Sequence, residues 1–194
     1  ICASYAPVME SFSIDEVFLD MTGTSLIYPD PIQTAHEIKD KIKNELGFTV
    51  NVGISTNKLL AKMASDFKKP DLVHTLYAKE IQTKMWPLPV SSLLMCGRSS
   101  QETLRKLGIS TIGDLARCDK QLLAAHLKSH GILLWEYANG IDENSLCTTT
   151  TCFFTCHTTI FISVLVNVIN HLVYGSRVKC VFVAAIHGIT GANI

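Results

Sequence analysis

Glu10-Ser-Phe-Ser-Ile-Asp-Glu-Val-Phe-Leu-Asp20 sets an apolar run on each side of an acid pair. Val8 to Ser13 and Val17 to Met21 each read as a short strand, and Ile14-Asp15-Glu16 reads as a tight reversal between them. Adjacent residues of a regular strand point to opposite faces. Asp15 and Glu16 can therefore meet one cation only if the chain turns or bulges there. Two acids at a reversal are also ordinary turn chemistry, and the pair alone does not separate the two readings.

Outward from this hairpin the pattern alternates helix and strand. Thr22-Gly23-Thr24 closes the second strand and Pro29-Asp30-Pro31 opens the next element. Ile32, Ala35, Ile38, Ile42 and Leu46 recur at helical spacing, Lys39, Lys41 and Lys43 fall mostly on the other side, and Gly47 is a stop. Thr49 to Ile54 is β-branched and alternating, a strand. Ser55-Thr56-Asn57 offers an N-cap to a helix through Leu59, Leu60, Met63, Ala64 and Phe67, ended near Pro70. A short strand at Leu72 to Tyr77 and a helix from Lys79 to about Trp86 follow, and Pro87 and Pro89 mark a boundary. Beyond it come only short helices: Gln101 to Leu107 ending at Gly108, one from Leu115, Gln121 to Lys128, and Leu133 to Ala138 ending at Asn139-Gly140.

The composition is globular, with 47% hydrophobic and 18% charged residues in 194, and a net charge of zero does not announce a nucleic-acid binder. The balance is uneven along the chain. Every acidic residue lies at or before Glu143, and only Arg177 and Lys179 carry full charge after it. Thr158 to Tyr174 is mostly apolar but interrupted by Asn167, Asn170 and His171, marginal for a spanning helix of ~20 residues; a peripheral strand pair is another reading, and the favoured one is a tail foreign to the rest of the chain, such as out-of-frame or fused translation, because the acids stop so abruptly. Cys2, Cys96 and Cys118 stand singly, and Cys147, Cys152, Cys156 and Cys180 lack the paired spacing that zinc asks for. A reducing cytosol, hence a cytoplasmic location, is the expectation. Ile1 opens the chain without a methionine, so the sequence reads as cut from a longer protein.

The stretch from Glu10 to Asp20 closely resembles a signature of the Y-family, or translesion, DNA polymerases. Val52-Gly-Ile-Ser-Thr-Asn-Lys-Leu-Leu-Ala-Lys-Met-Ala-Ser-Asp-Phe-Lys-Lys-Pro70 resembles the same family's second palm signature. Leu107-Gly-Ile-Ser-Thr-Ile-Gly-Asp-Leu115 and Trp135-Glu-Tyr-Ala-Asn-Gly-Ile-Asp142 resemble its thumb. The matches come in family order at family spacing over about residues 1 to 143, with the flavour of the bacterial DNA polymerase IV-like enzymes.

The resemblance implies an α+β fold: an incomplete ferredoxin-like palm over 1–87, a helix-hairpin-helix thumb over 88–143, and an unassigned apolar tail over 144–194. It implies a DNA-directed DNA polymerase of damage bypass and repair, in which two Mg²⁺ ions about 3.5–4 Å apart assist phosphoryl transfer. Its partners would be primer-template DNA and a deoxynucleoside triphosphate; a sliding clamp stays open for the full-length parent, and a membrane is not implied. Asp15 would bind the ions and Glu16 would help hold the one that activates the primer 3′-OH, while Asp20 would be structural. Lys69 matches the lysine that meets the incoming triphosphate; without the match it reads as a solvated lysine. Lys58 and Lys62 share a helix face, and Lys62 reads either as a phosphate support or as a solvated side chain.

In the thumb, Leu94-Met-Cys-Gly-Arg-Ser-Ser100 occupies the first hairpin. The resemblance makes Gly97, Arg98, Ser99 and Ser100 a grip on a DNA phosphate, through turn amides and the next helix's N-terminus. Gly97 is expected to supply the permissive backbone, although the family usually has a further glycine where Met95 stands. The family's third catalytic carboxylate, its ribonucleotide-rejecting residue and its fingers precede the region matching Ile1, and its little finger should follow Asp142. The palm is thus expected to lack a central strand, and the chain to bind Mg²⁺ weakly and not to polymerise. The competing readings are a non-catalytic DNA-binding remnant and a membrane-associated protein defined by its tail.

Overall fold

A computed structural model describes residues 1–13, 15–146 and 181–187. The opening hairpin forms as expected. β1 (Val8–Ser11) and β2 (Glu16–Asp20) pair antiparallel, with Val8 opposite Asp20 and Ser11 opposite Val17. Asp20 ends the hairpin structurally: its Oδ1 accepts from Thr22 N at 2.9 Å. Helix α1 (Pro31–Leu46) starts where Asp30 accepts from Ile32 N and Gln33 N, has proline in its first turn, and stops at Gly47 in the left-handed region at φ 74°. These are the physical requirements of a helix start and stop.

β3 (Thr49–Ser55) then divides the molecule by its alternation. Val50, Val52 and Ile54 pack with Ala35, Ile38 and Ile42 of α1 and with Leu19. Asn51 and Gly53 instead meet α2 (Lys58–Ser65): Asn51 Nδ2 donates to Ser65 O at 3.1 Å, and a Cβ at Gly53 would strike Ala61 O and Ser65 N. The two helices therefore lie on opposite faces of the sheet, because successive strand residues point opposite ways. Only glycine lets α2 sit this close to the β3 backbone. β4 (Val73–Thr75) pairs parallel to β3.

The centre of the sheet holds the main departure from expectation. The strand order is β1-β2-β5-β3-β4, and β5 is Val181–His187. It runs antiparallel to both neighbours, with Ala185 opposite Glu16 on one side and Asn51 on the other. The tail was expected to be unassigned or peripheral and the sheet to lack a central strand; instead the tail's own apolar, β-branched run occupies that place. A strand paired on both edges is where such a composition is favoured. Thr158 to Tyr174, like Cys147, Cys152, Cys156 and Cys180, lies outside the described residues. Among the described residues no helix is long and apolar enough to cross a membrane.

Past β4 the helix expected from Lys79 to Trp86 is a 3₁₀ turn (Ala78–Glu80) and one π-helical turn (Ile81–Met85). The remainder is helical: α3 (Arg98–Lys106), α4 (Ile112–Arg117) and α5 (Lys120–Ala138). The helices expected over 121–128 and 133–138 form one run broken at Lys128, whose φ of 55° and ψ of −139° interrupt the helix. One apolar cluster runs from Leu59, Leu60 and Met63 of α2 through Met85, Leu104, Ile112 and Leu115 to Leu134 and Ala138.

Candidate functional site

The β1–β2 turn is closed by Glu16 O, which accepts from Phe12 N at 2.9 Å and Ser13 N at 3.3 Å. At its tip Ser13 Oγ donates to Asp15 Oδ1 at 2.7 Å, and Asp15 is exposed. Glu16 stands beside it in a different environment. Its side chain is 14% exposed and its Oε1 accepts from Lys62 Nζ of α2. The turn thus leaves the two adjacent acids in different settings, Asp15 facing solvent and Glu16 held by an ammonium group.

Lys62 continues the contact. Its Nζ lies 2.9 Å from Asp66 Oδ2, and Asp66 Oδ1 lies 2.9 Å from Lys69 Nζ. Glu16, Lys62, Asp66 and Lys69 form a row of alternating charge. It joins the two residues that the motifs single out, Glu16 and Lys69, through Lys62, which is not a solvated lysine, and Asp66, which the motifs leave without a role. Burial alone would push the Lys62 ammonium down, but hydrogen bonds to Glu16 and Asp66 outweigh it and hold its pKa above the usual lysine value. Burial likewise opposes the charged form of Asp66, yet Lys62 and Lys69 hold its carboxyl below the usual range. Opposite charges at hydrogen-bonding distance favour both charged forms.

Two further contacts seat this row. Lys58 Nζ donates to Glu10 Oε1 and Oε2 at 2.8 and 2.9 Å and lies 5.2 Å from the centroid of the Phe18 ring, tying α2 to the hairpin again. Buried Asn51 donates to Lys68 O at 2.7 Å and accepts from Leu72 N at 3.1 Å, which holds the loop carrying Lys69 against the end of β3. The start of α2 is sealed from a distance: Asn57 Oδ1 accepts from Leu60 N, Asn57 Nδ2 donates to Gly140 O at 2.9 Å, and Asp142 Oδ2 accepts from Leu59 N at 3.1 Å. Gly140 has a φ of 74°, and a Cβ there would strike Ile81, so the motif ending at Asp142 needs glycine at this bend.

The second candidate site is the turn before α3. Gly97 is the N-cap, Arg98, Ser99 and Ser100 form the first turn, and Gln101 N makes the first bond back, to Gly97 O at 3.0 Å. The amides of that first turn have no partner within the helix. Gly97, Arg98 and Ser99 are exposed and Ser100 is buried. The permissive position is not where it was expected. Gly97 is extended, at φ −71° and ψ 170°, with open space around a Cβ, whereas Met95 takes φ 66°. The left-handed residue of this turn is therefore a methionine, 59% exposed.

Among the described residues no three His, Cys, Asp or Glu side chains gather as a metal set. Asp15 and Glu16 remain a pair of hard oxygen donors. They fit a Mg²⁺ that keeps several waters and is held by one or two carboxylates together with substrate phosphates. Lys62 competes with such an ion for Glu16.

A mixed sheet followed by a helical unit is an architecture with known relatives. Residues 1–66 match the impB/mucB/samB family, and the chain is similar to curated DNA polymerase IV sequences over its first three quarters. It is 55% identical to DNA polymerase IV of Clostridium acetobutylicum over 142 residues, which are 73% of this chain and 36% of that protein. It is 44% identical to DNA polymerase IV of Acetivibrio thermocellus over 140 residues, 72% of this chain and 35% of that protein. The chain thus spans about a third of the length of these curated relatives. Among solved structures it resembles DinB from Sulfolobus solfataricus, with a TM-score of 0.66 at 26% identity over 75% of this chain and 43% of that one. The insertion ternary complex of Dbh DNA polymerase matches with a TM-score of 0.65 at 27% identity, over 74% of this chain and 42% of that one.

Proposed function

We propose that this chain carries the catalytic-palm and thumb segments of a translesion DNA polymerase, whose whole activity is templated addition of deoxynucleotides to a primer. The supporting observation is the charge row from Glu16 to Lys69, which links an acid turn to a lysine suited to a triphosphate. In this reading 1–87 is the palm, with a ferredoxin-like sheet, 88–143 is a helix-hairpin-helix thumb, and the protein works in the cytoplasm. Asp15 and Glu16 hold Mg²⁺, which when bound offsets the negative charge of the reacting phosphate. Lys69 exchanges Asp66 for the incoming triphosphate, and Lys62 keeps Asp66 and Glu16 in place while it does so. The first-turn amides at Arg98, Ser99 and Ser100, with the Arg98 charge, hold a DNA phosphate without reading sequence.

The 194-residue chain by itself does not polymerise, because the site gathers two carboxylates and one of them is held by Lys62. That hold also favours the second reading, a non-catalytic DNA-binding remnant that works through 88–143. Primer extension with Mg²⁺ and all four deoxynucleotides tests both. No product is expected from the chain alone, and templated extension is expected once the parent's N-terminal segment and little finger are restored. Extension by the isolated chain overturns the incomplete-site reading, and a restored protein that still fails to extend favours the remnant. DNA binding by the chain is expected to be independent of sequence and to fall with salt at a log–log slope of about −0.9 per phosphate, for about 2 to 4 phosphates. Salt-insensitive or base-specific binding counts against a phosphate-gripping thumb.

A further inference from the structure

The acid hairpin and the lysine helix belong to different halves of the sheet. β1 pairs with β2, and β3 pairs with β4; the strand between these pairs is β5. Among the described residues, all sheet pairing between the two halves therefore passes through residues 181–187. Glu16 to Asp20 lie opposite Ala185 to Val181, and Thr49 to Ser55 lie opposite His187 to Val181. Among the described residues, side chains bridge the same divide on the α2 side at Glu10 to Lys58 and Glu16 to Lys62. Apolar packing adds to these: Phe18 packs with Ala61, and Leu19 shares one cluster with Val50, Val52 and the buried face of α1.

Neighbouring strands sit about 4.7–4.9 Å apart. β2 and β3 are thus held roughly twice that distance from each other, too far to pair directly. Without β5 each would present a row of unmet amides and carbonyls to the other, and a buried unmet backbone group is costly. The halves would have to move, and the ion pairs that span them would move too.

We propose that residues 181–187 are the element that assembles the candidate site. Docking of this strand sets the spacing between the Asp15–Glu16 turn and the Lys62–Lys69 row, and undocking separates them. The segment responsible lies far along the chain from both halves, beyond the helical unit and in a stretch without acidic residues. Its arrival is therefore an event distinct from formation of the β1–β2 hairpin or of the β3–α2–β4 unit. The proposal concerns the geometry of the acids and lysines and holds whatever reaction they serve.

The test is amide hydrogen exchange on the full chain carrying Ala184→Pro, with Ala184→Val as the conservative control. Proline in a doubly paired strand removes a ladder donor and is excluded from central positions. Protection at Val17 to Leu19 and at Val50 to Ile54 is expected to fall together, by roughly a hundredfold as local opening replaces pairing, while amides of Leu104 and Leu134 keep theirs. Ala184→Val is expected to retain protection throughout. Unchanged protection of β2 and β3 in Ala184→Pro overturns the proposal. If Ala184→Pro unfolds altogether, the native chain decides: cross-strand proton contacts from Val183 to both Phe18 and Gly53 are required, and their absence overturns it.

Discussion

The acid–lysine row and the turn before α3 are both candidate grips on phosphate, and they are built in opposite ways. In the first, charged side chains meet at 9% and 14% exposure and are held by contacts from distant parts of the chain, with Lys62 reaching Glu16 across 46 positions. In the second, the polar groups are backbone amides at an exposed helix start, and everything that shapes them lies within a few residues. A site of the first kind is lost when packing shifts, because a displaced buried charge keeps its desolvation cost and loses its partner. A site of the second kind tolerates side-chain change but depends on the dihedral angles of one turn.

The sharpest way to break this contrast is at Gly53. Gly53→Ala drives a Cβ into the backbone of α2, and overpacking of that sort costs about 3 kcal/mol. Chemical denaturation should show that loss, with weakened Mg²⁺ binding at the acid turn; an unchanged midpoint would mean that α2 is not seated as described. Lys62→Met comes next. It leaves Glu16 and Asp66 without their shared cation, for an expected loss of about 2 kcal/mol, below the range for fully buried pairs because Asp66 is 40% exposed. A loss no larger than that of Lys43→Met, whose ammonium is half exposed, would erase the distinction between this row and ordinary surface pairs.

At the α3 turn the expected effects are smaller and one has the opposite sign. Met95→Gly relieves a left-handed methionine and should stabilise by about 1 kcal/mol. Gly97→Val should change stability by less than about 0.5 kcal/mol, since its backbone is extended and its surroundings open. If the proposed grip holds, a fall in DNA affinity from Gly97→Val would then report crowding of the phosphate and not distortion of the turn. The reverse order of the two variants in thermal unfolding would place the strain at Gly97.

The smallest difference is in acid. Asp66 has its pKa lowered in the folded chain, so its contribution is present above about pH 4, the unfolded value, and is lost as pH falls through the depressed folded value. Asp71, lowered first by its hydrogen bond to Lys43, behaves alike. Lys62, raised in the folded chain, contributes below about pH 10.4 and loses that contribution as pH rises through its raised value. Asp66→Asn should therefore flatten part of the acid limb of the stability profile, and an unaltered limb would remove Asp66 from the row.

What could be read in advance follows the same division between local and distant causes. The start of α1 at Asp30 and Pro31, its end at Gly47, the acid reversal and the start of α2 at Asn57 are all set by neighbours in sequence, and they stand where the residues predict. Lys39 is different: its spacing sets it mostly opposite the apolar stripe of α1, yet it is buried against Asp71, 32 positions on. Glu16 to Lys62 is unreadable for the same reason, whereas Lys62 to Asp66, at i and i+4, is a pair that helical charge spacing makes legible. β5 is the extreme case. Its apolar run is plain in the sequence, but nothing local says that its partners are two strands near the other end of the chain.

The contacts of Gly140 and Asp142 with the start of α2 carry a consequence for where phosphate can go. A helix of this length presents partial positive charge at its first turn. In α2 that end already faces a carboxylate from the chain itself, on Leu59 N, and the Asn57 side chain on Leu60 N. The helix dipole is spent internally, so a nucleotide arriving at this face meets no free helix terminus in α2. In the reading proposed above, a triphosphate would be received by Lys69 at the far end of the row, which would draw that lysine away from Asp66.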